Sequence, residues 1–165
     1  MADSARIHPE VRIGHIHLTV SQLPRSLAFY RDLLGFEVTQ QMGDQAAFLS
    51  AGGYHHHIGL NTWAGVGAPP PPPGSTGLYH LAILFPNRAE LARTVRRLLE
   101  NGYPLEGASD HGVSEAIYLR DPDGNGVELY ADRDPADWPR LPGGGVAMIV
   151  DPLDLDDLLR QADGE

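Results

Sequence analysis

The chain has 165 residues, 42% of them apolar, with 12 basic against 22 acidic side chains and a net charge of −10. One domain with a buried core is expected at this length, and the acidic balance argues against nucleic acid or an anionic membrane surface as a partner. Cysteine is absent, which excludes disulfides and thiolate ligands; no run of about 18 apolar residues marks a membrane span, and without a hydrophobic leader at its start the chain is expected in the cytoplasm.

Residues 1–10 read as a loose arm. Arg12–Val20 alternates as a strand, with Ile16, Leu18 and Val20 on one face and His15, His17 and Thr19 on the other. Ser21 is a candidate N-cap for a helix over Leu23–Leu34, in which Leu23, Leu27, Tyr30 and Leu34 repeat at helical spacing and Gly35 supplies the C-cap. Phe36–Met42 and Gln45–Ser50, joined by Gly43-Asp44, read as a hairpin. After the turn Ala51-Gly52-Gly53, a strand over Tyr54–Thr62 carries His55, His56 and His57. Residues 63–76 form a linker with five consecutive prolines, Pro69–Pro73, a stiff polyproline spacer rather than a helix or central strand.

The pattern then begins again. Leu78–Phe85 is a strand carrying His80. Asn87 precedes a helix over Arg88–Glu100 with Leu91, Val95, Leu98 and Leu99 on one face, and Asn101-Gly102 ends it. Leu105–Ser109, Val113–Arg120 and Gly126–Ala131 read as strands. The last two form a hairpin around Asp121-Pro122-Asp123-Gly124-Asn125-Gly126, a dense turn signal. Alternation sends Val127 and Leu129 to the core and Glu128 to the opposite face. The order βαβββ thus occurs twice, over 11–62 and 77–132, and His15 overlays His80 with a shift of 65. The expected fold class is α+β: two βαβββ units paired into one curved mixed sheet with the helices outside. In the tail, residues 133–165, Val146–Val150 is a candidate short strand and Leu153–Gln161 a terminal helix, with no chemistry evident.

His15 and His80 hold equivalent places in the first strand of each unit, and Glu128 lies in the last strand of the second. If the units close into one cup, the three side chains can converge there. Two imidazoles and a carboxylate suit Fe(II), and also Mn, Ni or Zn; taken singly, each is equally consistent with a solvated strand residue. In the triplet, alternation puts His55 and His57 on one face and His56 on the other.

These residues carry a resemblance. His15-Ile-His-Leu-Thr-Val, Ser26-Leu-Ala-Phe-Tyr-Arg-Asp-Leu-Leu-Gly-Phe, Tyr79-His-Leu-Ala-Ile and Tyr118-Leu-Arg-Asp-Pro-Asp-Gly-Asn-Gly-Val-Glu-Leu are similar to the vicinal oxygen chelate superfamily, which includes glyoxalase I, extradiol dioxygenases and bleomycin resistance proteins. The resemblance implies that His15, His80 and Glu128 are the metal ligands of an extradiol dioxygenase acting on a catechol-type aromatic and O₂, most closely the bacillus-type catechol 2,3-dioxygenases. It matches the catalytic His to His56, against the alternation that favours His57. It matches the active-site Tyr to Tyr118 and brings a further pocket His near His111. Glyoxalase I has an acidic fourth ligand where this chain has Gly59, which cannot ligate. The rivals are a glyoxalase-like lyase, isomerase or thiol transferase, and a non-catalytic binding or resistance protein. A homodimer is compatible with all three.

Overall fold

A computed structural model describes residues 6–163. The first unit contains β1 (Ile16–Thr19), α1 (Leu23–Leu27, continued by a π-turn over Ala28–Leu33), β2 (Glu37–Met42), β3 (Ala46–Ser50) and β4 (Ile58–Asn61). The second contains β5 (Leu81–Phe85), α2 (Arg88–Glu100), β6 (Gly107–Asp110), β7 (Ser114–Arg120) and β8 (Gly126–Asp132). The tail adds β9 (Asp151–Pro152) and α3 (Leu155–Arg160). The α+β class and the doubled βαβββ order are those expected from the sequence. Among the described residues no helix is long and apolar enough to cross a membrane.

The strands form two sheets, ordered β1-β4-β3-β2 and β5-β8-β7-β6-β9. In each unit the first strand pairs parallel with the last, and the other pairings are antiparallel. The registers repeat as well. His17 lies beside Gly59 as Ala82 lies beside Glu128, so Gly59 occupies in the first unit the place that Glu128 occupies in the second. The single continuous sheet expected from the sequence is absent: β1 and β5 are both edge strands, and the units join elsewhere.

They join through α1. The hydrogen bond from Leu34 N–H to the Phe29 carbonyl spans five residues, and this wide turn carries both Phe29 and Tyr30 inward, where each is fully buried. Phe29 packs on Tyr103, with ring centroids 5.0 Å apart. The Tyr30 hydroxyl donates to Asp121 Oδ2 at 2.9 Å. Asp121 also accepts from the backbone N–H of Asp123 and Asn125, so its buried carboxylate holds the Asp-Pro-Asp-Gly-Asn turn from within. Ser21 is not the N-cap: Gln22 holds that position without a side-chain bond, and Ser21 N–H instead donates to Asp123 Oδ1 at 3.1 Å. Arg25 pairs with the same carboxylate. Pro24 suits the first helical turn, which needs no N–H. Gly35 ends α1 at φ 91°, a conformation that side-chain-bearing residues avoid.

The core is continuous across both units, from Leu49 and Leu60 through Leu91 and Leu98 to Ile117 and Leu129. Asn87 caps α2 by accepting from Glu90 N–H at 2.9 Å. Leu91, Val95 and Leu98 are buried as their spacing requires, whereas Leu99 remains 40% exposed at the rim of the stripe. The tail is built into the second unit. Leu158 is fully buried, and Arg88 joins Glu115 of β7 (2.5 Å) to Asp157 of α3 (2.6 Å). Val146–Val150 is not a strand; its register is taken by a single bridge between Arg140 and Val146. A turn containing Gly143-Gly144-Gly145 leads into it.

Candidate functional site

The outward face of the second sheet carries a connected group of polar side chains. Tyr118 of β7 and Glu128 of β8 are directly opposite in the antiparallel ladder, so alternation sends both to the face away from Leu119, Val127 and Leu129. The Tyr118 hydroxyl lies 3.1 Å from Glu128 Oε1 and 2.6 Å from His111 Nε2. His80, at the approach to β5, reaches Glu128 Oε2 with its Nε2 at 2.9 Å. His111 Nδ1–H donates to the Ile149 carbonyl at 2.9 Å, and Ile149 N–H donates back to the His111 carbonyl at 3.1 Å. The tail thus clamps His111 at two points. This is a role that composition, dominated by Pro, Gly and Asp in that region, did not signal.

Proton counting constrains the chain of contacts. With Nδ1–H committed to Ile149, a neutral His111 offers a lone pair at Nε2, and the single phenolic proton cannot serve both His111 and Glu128. All contacts are satisfied together when Nε2 also carries a proton: it donates to Tyr118 oxygen, and Tyr118 donates to Glu128. The line therefore has two states that differ by one proton. Desolvation, then the Glu128 charge, pushes the Tyr118 phenol up to about 12, so Tyr118 enters the line as a donor at neutral pH.

A pocket of about 290 Å³ opens here, lined by Tyr79, His80, Ser109, His111, Tyr118 and Val150 among others. Tyr79, Ser109 and Val150 were not anticipated. Tyr79 alone was legible, as an aromatic residue beside His80. Gly126 fits the same corner because a Cβ on it would stand 2.2 Å from the Tyr79 carbonyl oxygen. A larger cavity of about 570 Å³ lies beside Arg88, Glu115 and Arg133. There Glu115 and Asp157 are paired to Arg88, and Asp110 and Glu115 to Arg133, which marks that cavity as structural.

The first sheet carries the other histidines. His15 packs on His56, with ring centroids 4.3 Å apart, and Phe48 lies 5.1 Å from His56. The expected strand over Tyr54–Thr62 begins only at Ile58. Residues 54–57 are irregular, Tyr54, His55 and His56 stack on one another, and strand alternation does not govern the triplet. His56 is consequently the one beside His15. His57 turns back to accept from Ala51 N–H at 3.3 Å and to contact Ser50 Oγ at 3.1 Å, a bracing role at the end of β3. Burial first, then His15 and the other neighbouring imidazoles, holds His56 below the usual imidazole range, so it is neutral at pH 7.

The structure therefore brings together His80, Glu128, Tyr118 and His111 on one sheet, and His15 with His56 on the other. Among the described residues no three His, Asp or Glu side chains are grouped so as to hold a metal ion. His80 and Glu128 have the right donor chemistry and already point at one another, but one chain by itself offers an incomplete set.

The fold and this face define a paired-βαβββ protein with a His/Glu cluster at the sheet surface. Residues 12–129 match the model of the Glyoxalase/Bleomycin resistance protein/Dioxygenase superfamily, and the chain belongs to that superfamily. It is 44% identical to the catechol-2,3-dioxygenase of Bacillus subtilis (strain 168) over 161 residues, covering 96% of this chain and 55% of that protein. It is 36% identical to biphenyl-2,3-diol 1,2-dioxygenase 3 of Rhodococcus globerulus over 121 residues, covering 73% of this chain and 63% of that protein. The chain thus spans little more than half the length of these relatives. A glyoxalase/dioxygenase from Nostoc punctiforme shares the fold with a TM-score of 0.64 at 22% identity, covering 79% of this chain and 98% of that one.

Proposed function

We propose that the protein is a metal-dependent extradiol dioxygenase that opens the ring of a catechol-type aromatic with O₂. The observation that carries this reading is the His80–Glu128–Tyr118–His111 cluster at the mouth of a pocket of about 290 Å³. The names of the two dioxygenase relatives support the substrate class. Fe(II) is the metal this reading favours, with Mn, Ni and Zn as alternatives; when bound, it supplies Lewis acidity toward the vicinal oxygens of the diol.

The protein's own side chains have separable tasks. Tyr79 and Val150 give the pocket apolar wall for a flat ring, while Tyr118 and His111 present the polar contacts that orient a ring hydroxyl. The two protonation states of the His111–Tyr118–Glu128 line let a proton be passed without a charge being stranded in the pocket. His56, neutral at pH 7, is able to accept a proton from the diol on the opposite wall. Gly59 favours ring cleavage over glyoxalase chemistry, since it supplies no fourth carboxylate and a Cβ there would stand 2.8 Å from the His17 ring.

The test is O₂ uptake with catechol and with biphenyl-2,3-diol after reconstitution in turn with Fe(II), Mn(II), Ni(II) and Zn(II). Stoichiometric uptake with a ring-opened product is expected for Fe(II) or Mn(II). Absence of uptake with every metal and both diols would refute the assignment.

A further inference from the structure

His15 and the His80–Glu128 pair lie on different sheets, and both sheets present them beside an open edge, β1 in one case and β5 in the other. A strand edge displays N–H and C=O groups that lack ladder partners, and proteins ordinarily blunt such edges with charge, proline or a covering element. Neither edge is blunted here. β1 reads Ile-His-Leu-Thr and β5 reads Leu-Ala-Ile-Leu-Phe, with no charged residue and no proline. The approaches to both are apolar and open to water: Ile13 is 93% exposed and Tyr79 is 83% exposed.

Within one chain the units meet through α1 and the Asp121–Asn125 turn, by Tyr30–Asp121, Ser21–Asp123 and Phe29–Tyr103. That packing leaves β1 and β5 unpaired. The two edges are chemically complementary. The β1 side brings His15 and His56 and no carboxylate, and the β5 side brings Glu128. Because the units are repeats of one another, β1 and β5 can pair antiparallel about a two-fold axis. When they do so between two copies, both edges are satisfied at once and two equivalent sites arise.

We propose that a second copy of this chain completes the site, with β1 of one copy paired antiparallel to β5 of the other so that His15 of one joins His80 and Glu128 of its partner. The inference rests on the two-histidine, one-carboxylate reading given above. Placing His15 opposite His80 also sets Ile13 opposite Ala82, two residues away along each strand. Ala82 lies beside Glu128 and shares its outward face.

Two experiments test it on the full chain. The protein has no cysteine, so a variant carrying Ile13→Cys and Ala82→Cys can be oxidised and run without reductant. A covalent dimer of twice 17.9 kDa is expected. A disulfide closed within one chain overturns the proposal, and so do thiols that stay free.

The second experiment reads Mn(II) stoichiometry rather than turnover. His15→Ala and His80→Ala chains are co-expressed with different tags and purified through both, which isolates the mixed dimer. Each variant alone should hold no tightly bound Mn(II). The mixed dimer should recover about half the wild-type content, because one of its two sites keeps both histidines. No recovery, with wild type still binding Mn(II), places all the ligands in one chain and overturns the inference while leaving the dioxygenase reading intact. If wild type itself binds no Mn(II), Fe(II) or other divalent ion, the dioxygenase reading fails, and the disulfide result decides the pairing alone.

Discussion

Replacing Tyr30 by Phe should loosen the joint between the two units without touching the site. Tyr30 is fully buried and Asp121 only 3% exposed, so water cannot take over the lost donor. After the change, Asp121 Oδ2 keeps a single protein donor, the Asn125 amide at 2.9 Å. A hydrogen bond to a charged group is worth about 1.5–3 kcal/mol. For a domain of this size each kcal/mol moves Tm by about 2–4 °C, so Tm should fall by roughly 3–12 °C. Pairing Tyr30→Phe with Asp121→Asn in a double-mutant cycle should give a coupling of about 0.5–3 kcal/mol.

Alkaline unfolding gives a second handle on the same residue. Burial, and then Asp121, raises the Tyr30 pKa well above its ordinary 10.0. A raised folded-state pKa means that above pH 10 the unfolded chain has released a proton that the folded chain still holds. Stability is therefore full below about pH 10 and declines above it. That decline should be shallower in Tyr30→Phe. Thermal melts from pH 7 to 11 decide the matter: an unchanged Tm at pH 7, or an unchanged alkaline slope, would refute the account of this joint.

Other expectations follow from single contacts. Tyr118→Phe breaks the line between His111 and Glu128 and should lower kcat/KM for diol cleavage by roughly 10- to 150-fold, the equivalent of about 1.5–3 kcal/mol. Its Tm should be near wild type, as melts would verify. Gly126→Ala drives a Cβ into the Tyr79 carbonyl oxygen, which is backbone and cannot give way. It should cost about 1–3 kcal/mol or more by overpacking, seen in urea unfolding, and should displace His80. Gly59→Glu obliges His17 to swing aside and places a carboxylate at the position equivalent to Glu128. Mn(II) affinity should hold or rise in titration calorimetry while O₂ uptake with catechol falls.

The doubled βαβββ order was legible because its cues are local. The α2 stripe ends in an Asn cap and a Gly stop, and the Asp-Pro-Asp-Gly-Asn turn carries its own hydrogen-bonding instructions. Glu128, Tyr118 and His80 were legible for a related reason: alternation about a known core face leaves them only one side to occupy. What the sequence pattern misjudged depends on distant partners. Ser21 is a good cap by type, but Asp123 of the other unit captures its N–H. His56 replaces His57 beside His15 because the triplet is not strand at all, the imidazoles stacking among themselves and on Tyr54. The Ile149 clamp on His111 is made by backbone atoms, which carry no residue signature. The separation of the sheets was equally invisible, since either edge pairing satisfies the same alternation.

The proline run Pro69–Pro73 has so far figured only as a spacer. In an extended left-handed helix five residues span about 15 Å with little bending. Tethered sites meet at an effective concentration set by the reach and compliance of what joins them, and a stiff tether mismatched to the gap drives that concentration toward zero. With α1 fixing one unit against the other and prolines stiffening the link, the β1 edge of a chain is a poor competitor for its own β5. A free copy at ordinary concentration then wins. Rigidity in a stretch without chemistry of its own would thereby set the molecularity of the site.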